Sequence, residues 1–120
     1  MCIRDRFKEF EGLKKLRAVA VATIQLRYDG WVTELQKDNT GNEPIGLENL
    51  LYSADASFSC FADLALASPA DYRKKDMGSL LQCVLTPGDR WMGRSTERIT
   101  KEIDKEVRRL FPSSLSLIHI

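Results

Sequence analysis

The clearest periodic pattern of apolar residues lies near the C-terminal end of the chain. Four apolar residues recur there every three or four positions, and these are Ile99, Ile103, Val107 and Leu110. This spacing predicts one stripe of an α-helix. Ser95 or Thr96 can cap its start, and Pro112 ends it. Glu97–Lys101 and Asp104–Arg108 add favourable pairs one turn apart. Because the apolar stripe must be buried, we expect a β-sheet to cover it.

Runs of apolar and β-branched residues before this helix predict β-strands. In chain order the runs are Arg17–Tyr28, Leu50–Tyr52, Phe58–Leu66 and Ser79–Leu85. The first run is apolar on both faces in its early part, which is typical of a well-buried strand. Asp29-Gly30 is a turn signal, and Trp31–Leu35 is a candidate returning strand, so the pattern favours a hairpin.

The remaining segments predict shorter elements. Phe7–Leu16 has apolar residues spaced by three, which favours a short helix, although Gly12 weakens it. Lys37–Gly46 is a polar loop with glycine and proline, and Pro69 with Asp71 marks a turn or a single helical turn. The predicted fold class is therefore α+β, with three to five largely antiparallel strands and a packed C-terminal helix.

Composition narrows the possible functions. The chain carries 18 Lys and Arg against 17 Asp and Glu, so it has no overall electrostatic footprint for nucleic acid. No apolar run approaches the roughly 18 residues that a membrane-spanning helix needs. Cys60 and Cys83 lie in apolar runs, where a free cysteine usually packs as a small buried residue. These two cysteines are too few and too far apart to predict a metal site or a disulfide framework.

Few residues indicate a particular chemistry. No two of the seven glycines form a Gly-x-Gly, so a phosphate-binding loop is not predicted in this stretch. Asp55 and Asp63 could form a carboxylate pair, but solvated or capping roles are favoured. Tyr28 and Trp31 flank the predicted turn and could line a pocket for an apolar ligand. The simpler alternative is that these two aromatic side chains cover a hairpin edge.

The two ends of the chain can be encoded by complementary strands of one short DNA. Met1–Arg6 can be encoded by ATG TGT ATA AGA GAC AG, and Leu115–Ile120 by CTG TCT CTT ATA CAC AT. The second string contains the reverse complement of the first, and both match the mosaic end of transposase-based sequencing libraries. We expect both ends to be translated adapter without substantial packing, which excludes Cys2 and His119 from any site argument. Residues 7–114 then form the natural segment.

Longer phrases of this segment resemble one enzyme family. The phrases are VATIQLRYDGWVTEL at Val21–Leu35, LENLLYSADASFSCFADLALASPADY at Leu47–Tyr72, GSLLQCVLTPGD at Gly78–Asp89 and RRLFPSS at Arg108–Ser114. In order and spacing they resemble the zeta-carotene desaturases of plants, algae and cyanobacteria. The resemblance covers nearly all of residues 7–114, and it is far more specific than a lone short motif.

This resemblance implies a two-domain, FAD-dependent flavoprotein with an amine-oxidase-like fold. Residues 7–114 would be a fragment of its carotenoid-binding, or substrate-binding, domain. The parent oxidoreductase would act in carotenoid biosynthesis, with zeta-carotene as substrate and a quinone, plastoquinone, as electron acceptor. Peripheral association with a plastid or cyanobacterial photosynthetic membrane would follow, because substrate and quinone dissolve in lipid.

The resemblance transfers no catalytic, flavin-binding or metal-binding residue to this segment. Tyr28 and Trp31 are the residues predicted to bind substrate, at the wall of a carotenoid tunnel. The fragment alone is expected to be inactive, and neither a metal nor nucleic acid is an expected partner. Two alternatives stay open from the sequence, namely a fragment of a phytoene desaturase and a stand-alone α+β binding module.

Overall fold

A computed structural model describes residues 8–32 and 50–119 of the chain. The predicted loop Lys37–Gly46, the end Met1–Arg6 and most of the candidate strand Trp31–Leu35 lie outside these ranges. Trp31 and Val32, the two described residues of that candidate strand, are not in strand conformation.

Four strands form one antiparallel sheet in the described part of the chain. The strands are β1 (Ala22–Arg27), β2 (Leu51–Tyr52), β3 (Cys60–Asp63) and β4 (Leu80–Leu85). Their order across the sheet is β1-β4-β3-β2. The register pairs Ile24 with Cys83, Cys83 with Phe61, and Phe61 with Leu51. The predicted α+β class with a largely antiparallel sheet is therefore confirmed.

Within residues 8–32 and 50–119, three α-helices accompany the sheet, namely α1 (Leu64–Ala67), α2 (Pro69–Tyr72) and α3 (Thr96–Leu110). The same ranges contain three 3₁₀ helices, at Lys8–Lys15, Gly88–Trp91 and Pro112–Ser116. The single helical turn predicted at Pro69 is present as α2. The short N-terminal helix predicted by the apolar spacing is a 3₁₀ helix without buried residues.

The C-terminal helix forms as its sequence predicts. The Ser95 hydroxyl oxygen accepts a hydrogen bond from the Arg98 amide at 3.3 Å, and α3 ends one residue before Phe111. Ile103 and Val107 are fully buried against the sheet. The predicted pair of Asp104 with Arg108 forms, with 2.8 Å between the Arg108 Nε and a carboxylate oxygen.

Three local predictions are wrong. The predicted hairpin does not form in the described residues: Trp31 and Val32 are not in strand conformation, and the Asp29 amide donates to the Ile118 carbonyl. β1 pairs instead with β4, more than fifty residues further along the chain. β1 is an outer strand of the described sheet, so its N-terminal flank is not well buried, and Val21 is 59% exposed. The predicted strand Phe58–Leu66 stops at Asp63, because that carboxylate accepts the Ala65 amide at 3.1 Å and caps α1.

The expectation that the C-terminal end lacks packing is also wrong. The Ile118 amide donates to Asp29 Oδ1 at 2.8 Å, and the Asp29 amide donates to the Ile118 carbonyl at 3.1 Å. Leu117 packs against the core, and the His119 ring lies 5.6 Å from the Tyr28 ring. These contacts follow from the turn after β1, whose exposed polar groups accept a neighbouring extended segment.

Candidate substrate-facing surface

The turn after β1 is fixed to the start of β4 by backbone hydrogen bonds. The Tyr28 amide donates to the Ser79 carbonyl at 2.9 Å, and the Ser79 amide donates to the Gly30 carbonyl at 3.0 Å. The Gly78 amide donates to the Tyr28 carbonyl at 3.0 Å, and the Val32 amide donates to the Ser79 hydroxyl oxygen at 3.0 Å. The position of the turn is therefore set by a long-range contact.

Gly78 allows this close approach. A Cβ atom added at Gly78 would lie 2.0 Å from the backbone of Gly30, far inside van der Waals contact. The absence of a side chain at Gly78 therefore lets the two backbones touch. Trp31 and Val32 directly follow this contact, so their placement depends on it.

The side chain of Tyr28 projects from this turn towards α3 and is fully buried. Its hydroxyl donates a hydrogen bond of 2.6 Å to Asp104 Oδ1, and Arg108 Nε donates to the other oxygen of Asp104 at 2.8 Å. Burial, and then the hydrogen bond to Asp104, raise the pKa of Tyr28 well above its ordinary value. Tyr28 therefore acts as a polar link between the end of β1 and the middle of α3.

The side chain of Trp31 projects from the same turn into a different environment. It is half-buried, and the Arg73 guanidinium, just after α2, lies 5.5 Å from the centre of its ring. Arg27 supports this side of the fold by donating to the Tyr72 carbonyl at 2.8 Å and to the Gly78 carbonyl at 3.2 Å. The two residues predicted to line a tunnel thus contact different helices, and their role stays a prediction.

Asp63 is a structural carboxylate that anchors the start of β4. It is 2% exposed, and its Oδ1 accepts the amides of Leu80 and Ala65, each at 3.1 Å. Burial raises its pKa, and hydrogen bonds from Ser79, Leu80 and Ala65 oppose that shift. Asp55 is exposed and pairs with Arg109 at 3.3 Å. The capping and solvated roles favoured for these two aspartates are confirmed.

The face of the sheet opposite α3 is only partly covered by the described residues, since Thr23, Gln25 and Tyr52 on it are exposed whereas Cys60 is buried. In β1, Thr23, Gln25 and Arg27 alternate with the residues that face the core. Gln25 Nε2 donates to Gln82 Oε1 at 2.9 Å across the β1–β4 pair on this face. Tyr52 of β2 extends the face to the other edge and is 80% exposed. We call these residues, with Val84, Cys60 and Ala62, the open sheet face.

Sequence reasoning missed the open sheet face. The signal was the alternation of polar Thr23, Gln25 and Arg27 with apolar neighbours, which is typical of a strand exposed on one side. The apolar residues just before them concealed this alternation. The partner Gln82 could not be assigned from sequence, because its register with β1 is set by long-range pairing.

The two cysteines lie on adjacent strands with their side chains on opposite faces of the sheet. Cys83 pairs with Phe61 on the core face, whereas Cys60 pairs with Val84 on the open sheet face. Both thiols are free and buried, as predicted from the sequence. Burial raises the pKa of Cys83 to about 12, which leaves this thiol unreactive near neutral pH.

Within residues 8–32 and 50–119, no cluster of His, Cys, Asp and Glu could hold a metal ion. Among the helices of those ranges, none has the length and apolar character that crossing a membrane requires. The strands described are antiparallel and the sequence has no Gly-x-Gly, so these residues do not form a dinucleotide-phosphate loop.

A family model decides the relationship of this chain. The model described as flavin containing amine oxidoreductase matches residues 2–119. The chain belongs to the flavin-containing amine oxidoreductase family. The family description implies a flavin cofactor, and residues 8–32 and 50–119 form no dinucleotide-phosphate loop.

Individual relatives narrow this assignment within the family. The chain is 56% identical over 115 residues to a probable zeta-carotene desaturase of Synechococcus elongatus, which covers 93% of this chain and 24% of that protein. It is 57% identical over 111 residues to a chloroplastic/chromoplastic zeta-carotene desaturase of Solanum lycopersicum, with 90% and 19% covered. A 15-cis-phytoene desaturase of Capsicum annuum is 29% identical over 107 residues, with 89% and 16% covered. The chain thus spans about a quarter or less of these relatives.

Replacing Gly78 with alanine should destabilise the fold, because the new Cβ would push the backbone of Gly30 away from β4. We expect a loss of about 1–3 kcal/mol in the free energy of unfolding. Urea denaturation followed by circular dichroism measures this loss. Gly12→Ala is the matched control, since no atom lies within 4 Å of its added Cβ. Equal stability of the two variants would contradict the importance of the contact.

Proposed function

We propose that residues 7–114 belong to a zeta-carotene desaturase and form part of its carotenoid-binding region. The observation that carries this proposal is the difference in identity between two groups of relatives. Zeta-carotene desaturases match at 52–57%, whereas the 15-cis-phytoene desaturases match at 29–30% over a similar length. A segment shared by both enzymes for general architecture alone would not separate them so widely.

The activity proposed for the whole protein is the introduction of two double bonds into 9,9′-di-cis-zeta-carotene. The reaction passes through neurosporene to a poly-cis lycopene, with FAD as the cofactor and a quinone, plastoquinone, as the electron acceptor. The hydrogen-abstracting chemistry belongs to the flavin, and the protein contributes orientation and exclusion of water. The protein would act in a plastid or at a cyanobacterial photosynthetic membrane, in keeping with the chloroplastic names of the plant relatives.

In this proposal, the chain forms part of the wall of the carotenoid-binding region. A long polyene has no hydrogen-bonding groups, so its binding depends on apolar surface removed from water. We propose that Trp31 contacts the polyene at the end of the open sheet face. Tyr28 belongs to the same site through the turn that both residues share, since its hydroxyl fixes that turn to Asp104 at 2.6 Å. The close contact of Gly78 with the backbone of Gly30 positions the turn from which the Trp31 side chain projects.

We also propose that Met1–Arg6 and Leu115–Ile120 are translated adapter and not part of the natural protein. The codon complementarity of the two ends supports this reading, and the packing of Leu117 against the core does not require a natural origin. Amplifying the source transcript outwards from residues 7–114 tests the proposal. Codons that depart from the adapter immediately before residue 7 and after residue 114 would support it. Continuation of both printed ends in the native transcript would refute it.

A chimeric enzyme tests the desaturase proposal. Residues 7–114 replace the matching segment of the Synechococcus elongatus relative, and the chimera is expressed in a bacterium that accumulates zeta-carotene. We expect neurosporene and lycopene, measured by chromatography of the extracted pigments. Expression beside phytoene should give no product. The matched control is a chimera that carries the corresponding segment of a 15-cis-phytoene desaturase. A folded, flavin-loaded chimera that desaturates phytoene instead would overturn the proposal.

Trp31→Ala in the active chimera should weaken carotenoid turnover by roughly ten- to a hundredfold, from about 1.5–3 kcal/mol of lost apolar contact. Flavin content, read from the absorbance of the purified enzyme, should not change. Trp31→Phe should restore most of the turnover, because it keeps an aromatic surface. Tyr28→Phe is the companion variant and should lower thermal stability, because it removes the hydrogen bond to Asp104. Unchanged turnover in Trp31→Ala would exclude Trp31 from the wall.

A further inference from the structure

Ser79 binds the turn that carries Trp31 through its backbone and through its side chain. The Ser79 carbonyl accepts the Tyr28 amide at 2.9 Å, and the Ser79 amide donates to the Gly30 carbonyl at 3.0 Å. The Ser79 hydroxyl oxygen accepts the Val32 amide at 3.0 Å. Trp31 therefore lies between two residues that are both hydrogen-bonded to Ser79.

The bond to Val32 differs from the other two because it depends on the side chain of residue 79. Backbone groups make the bonds to Tyr28 and Gly30, whereas the Val32 amide needs the serine hydroxyl as its acceptor. Ser79 and Val32 are both fully buried, so water cannot replace a lost acceptor there. The side chain at position 79 thus decides whether the residue directly after Trp31 is held.

Asp63 holds the part of the chain from which Ser79 reaches the turn. Its Oδ1 accepts the amide of Leu80, the residue directly after Ser79, at 3.1 Å. Burial raises the pKa of Asp63, and the hydrogen bond from the Ser79 side chain opposes this shift, so the hydroxyl lies beside this carboxylate. A serine hydroxyl accepts one hydrogen bond while it donates another. Ser79 is therefore held itself while it holds the turn.

The cation–π contact of Trp31 is too weak to fix the indole alone. The Arg73 guanidinium lies 5.5 Å from the ring centre and is exposed to solvent. At an exposed site such a contact changes a population by only about two- to fivefold. The position of the half-buried indole therefore follows mainly from the backbone on either side of it.

We propose that Ser79 is a positioning residue of the carotenoid-binding wall, which holds Trp31 against the polyene through the Val32 amide. The inference rests on the proposed function, because Trp31 is assigned to the wall there. Ser79 itself touches no substrate, since it is fully buried. Its effect on turnover must therefore pass through Trp31, which distinguishes positioning from a general contribution to stability.

Ser79→Ala in the active chimera tests the proposal, because it removes the hydroxyl and leaves the backbone bonds. We expect kcat/KM for zeta-carotene, per flavin-loaded enzyme, to fall by about two- to tenfold, the size of one hydrogen bond. The matched control is Ser114→Ala, at another fully buried serine, whose hydroxyl donates to the Phe111 carbonyl at 2.6 Å. The control should leave kcat/KM unchanged. If Ser79→Ala does not load flavin, Ser79→Cys replaces it with a smaller loss, since its thiol is a weak acceptor.

A double-mutant cycle with Trp31→Ala separates positioning from stability. If Ser79 acts through Trp31, Ser79→Ala should cause no further loss of kcat/KM once the indole is absent. A residue that only stabilises the fold would instead lower kcat/KM by the same factor in both backgrounds. The cycle is therefore a readout that a purely structural role would not change.

Hydrogen exchange of the purified chimera tests the contact without turnover. Mass spectrometry follows the peptide that contains Val32, whose amide loses its acceptor in Ser79→Ala. We expect exchange of this amide to become about two- to tenfold faster, whereas Ser114→Ala should not change it.

Four results would overturn the proposal. They are unchanged kcat/KM in Ser79→Ala, an equal loss in both backgrounds of the cycle, unchanged exchange of the Val32 amide, and full turnover in Trp31→Ala alone. Failure of the desaturase proposal is seen separately, as phytoene desaturation by the chimera that carries none of these substitutions. Because exchange needs no product, it would still show in that chimera whether Ser79 holds the turn.

Discussion

The packing of α3 against one face of the sheet is the contact on which the rest of this structure depends. Ile103 and Val107 are buried in one apolar cluster with Leu26 of β1 and with Leu81 and Cys83 of β4. Burying apolar side chains of this kind contributes about 1.5–3 kcal/mol each, whereas the exposed ion pairs contribute about 1 kcal/mol or less. This contact fixes which side of every strand points inward. It therefore also determines which residues remain available for function.

Because α3 covers only one face of the sheet, polar residues on the two faces are satisfied in different ways. On the inner side, Tyr28 needs a partner for its hydroxyl, and Asp104 of α3 supplies it at 2.6 Å. On the opposite face, the side chains of Gln25 and Gln82 form a hydrogen bond of 2.9 Å with each other, and α3 does not cover them. The charged residues of α3 differ in the same way. Its acidic residues beside the sheet pair with groups inside the fold, whereas the basic residues that form no ion pair within the described ranges point away from the sheet.

Local patterns predicted the local structure well. The helix α3, its Ser95 cap and its end before Pro112 follow from spacing and capping rules that involve neighbouring residues. The hairpin prediction was wrong because Asp29-Gly30 looks like a two-residue turn, yet the Gly30 carbonyl accepts from Ser79. A turn signal shows that the chain bends, but it cannot identify the strand that pairs next. That choice depends on the clamp with Gly78, which lies almost fifty residues away.

The candidate site could be predicted only in part for the same reason. Tyr28 and Trp31 are three residues apart in sequence, which suggested one aromatic wall, but the turn between them sends one side chain to α3 and the other to Arg73. The open sheet face could be assigned only from the fold, because it is defined by the side of the sheet that α3 leaves uncovered.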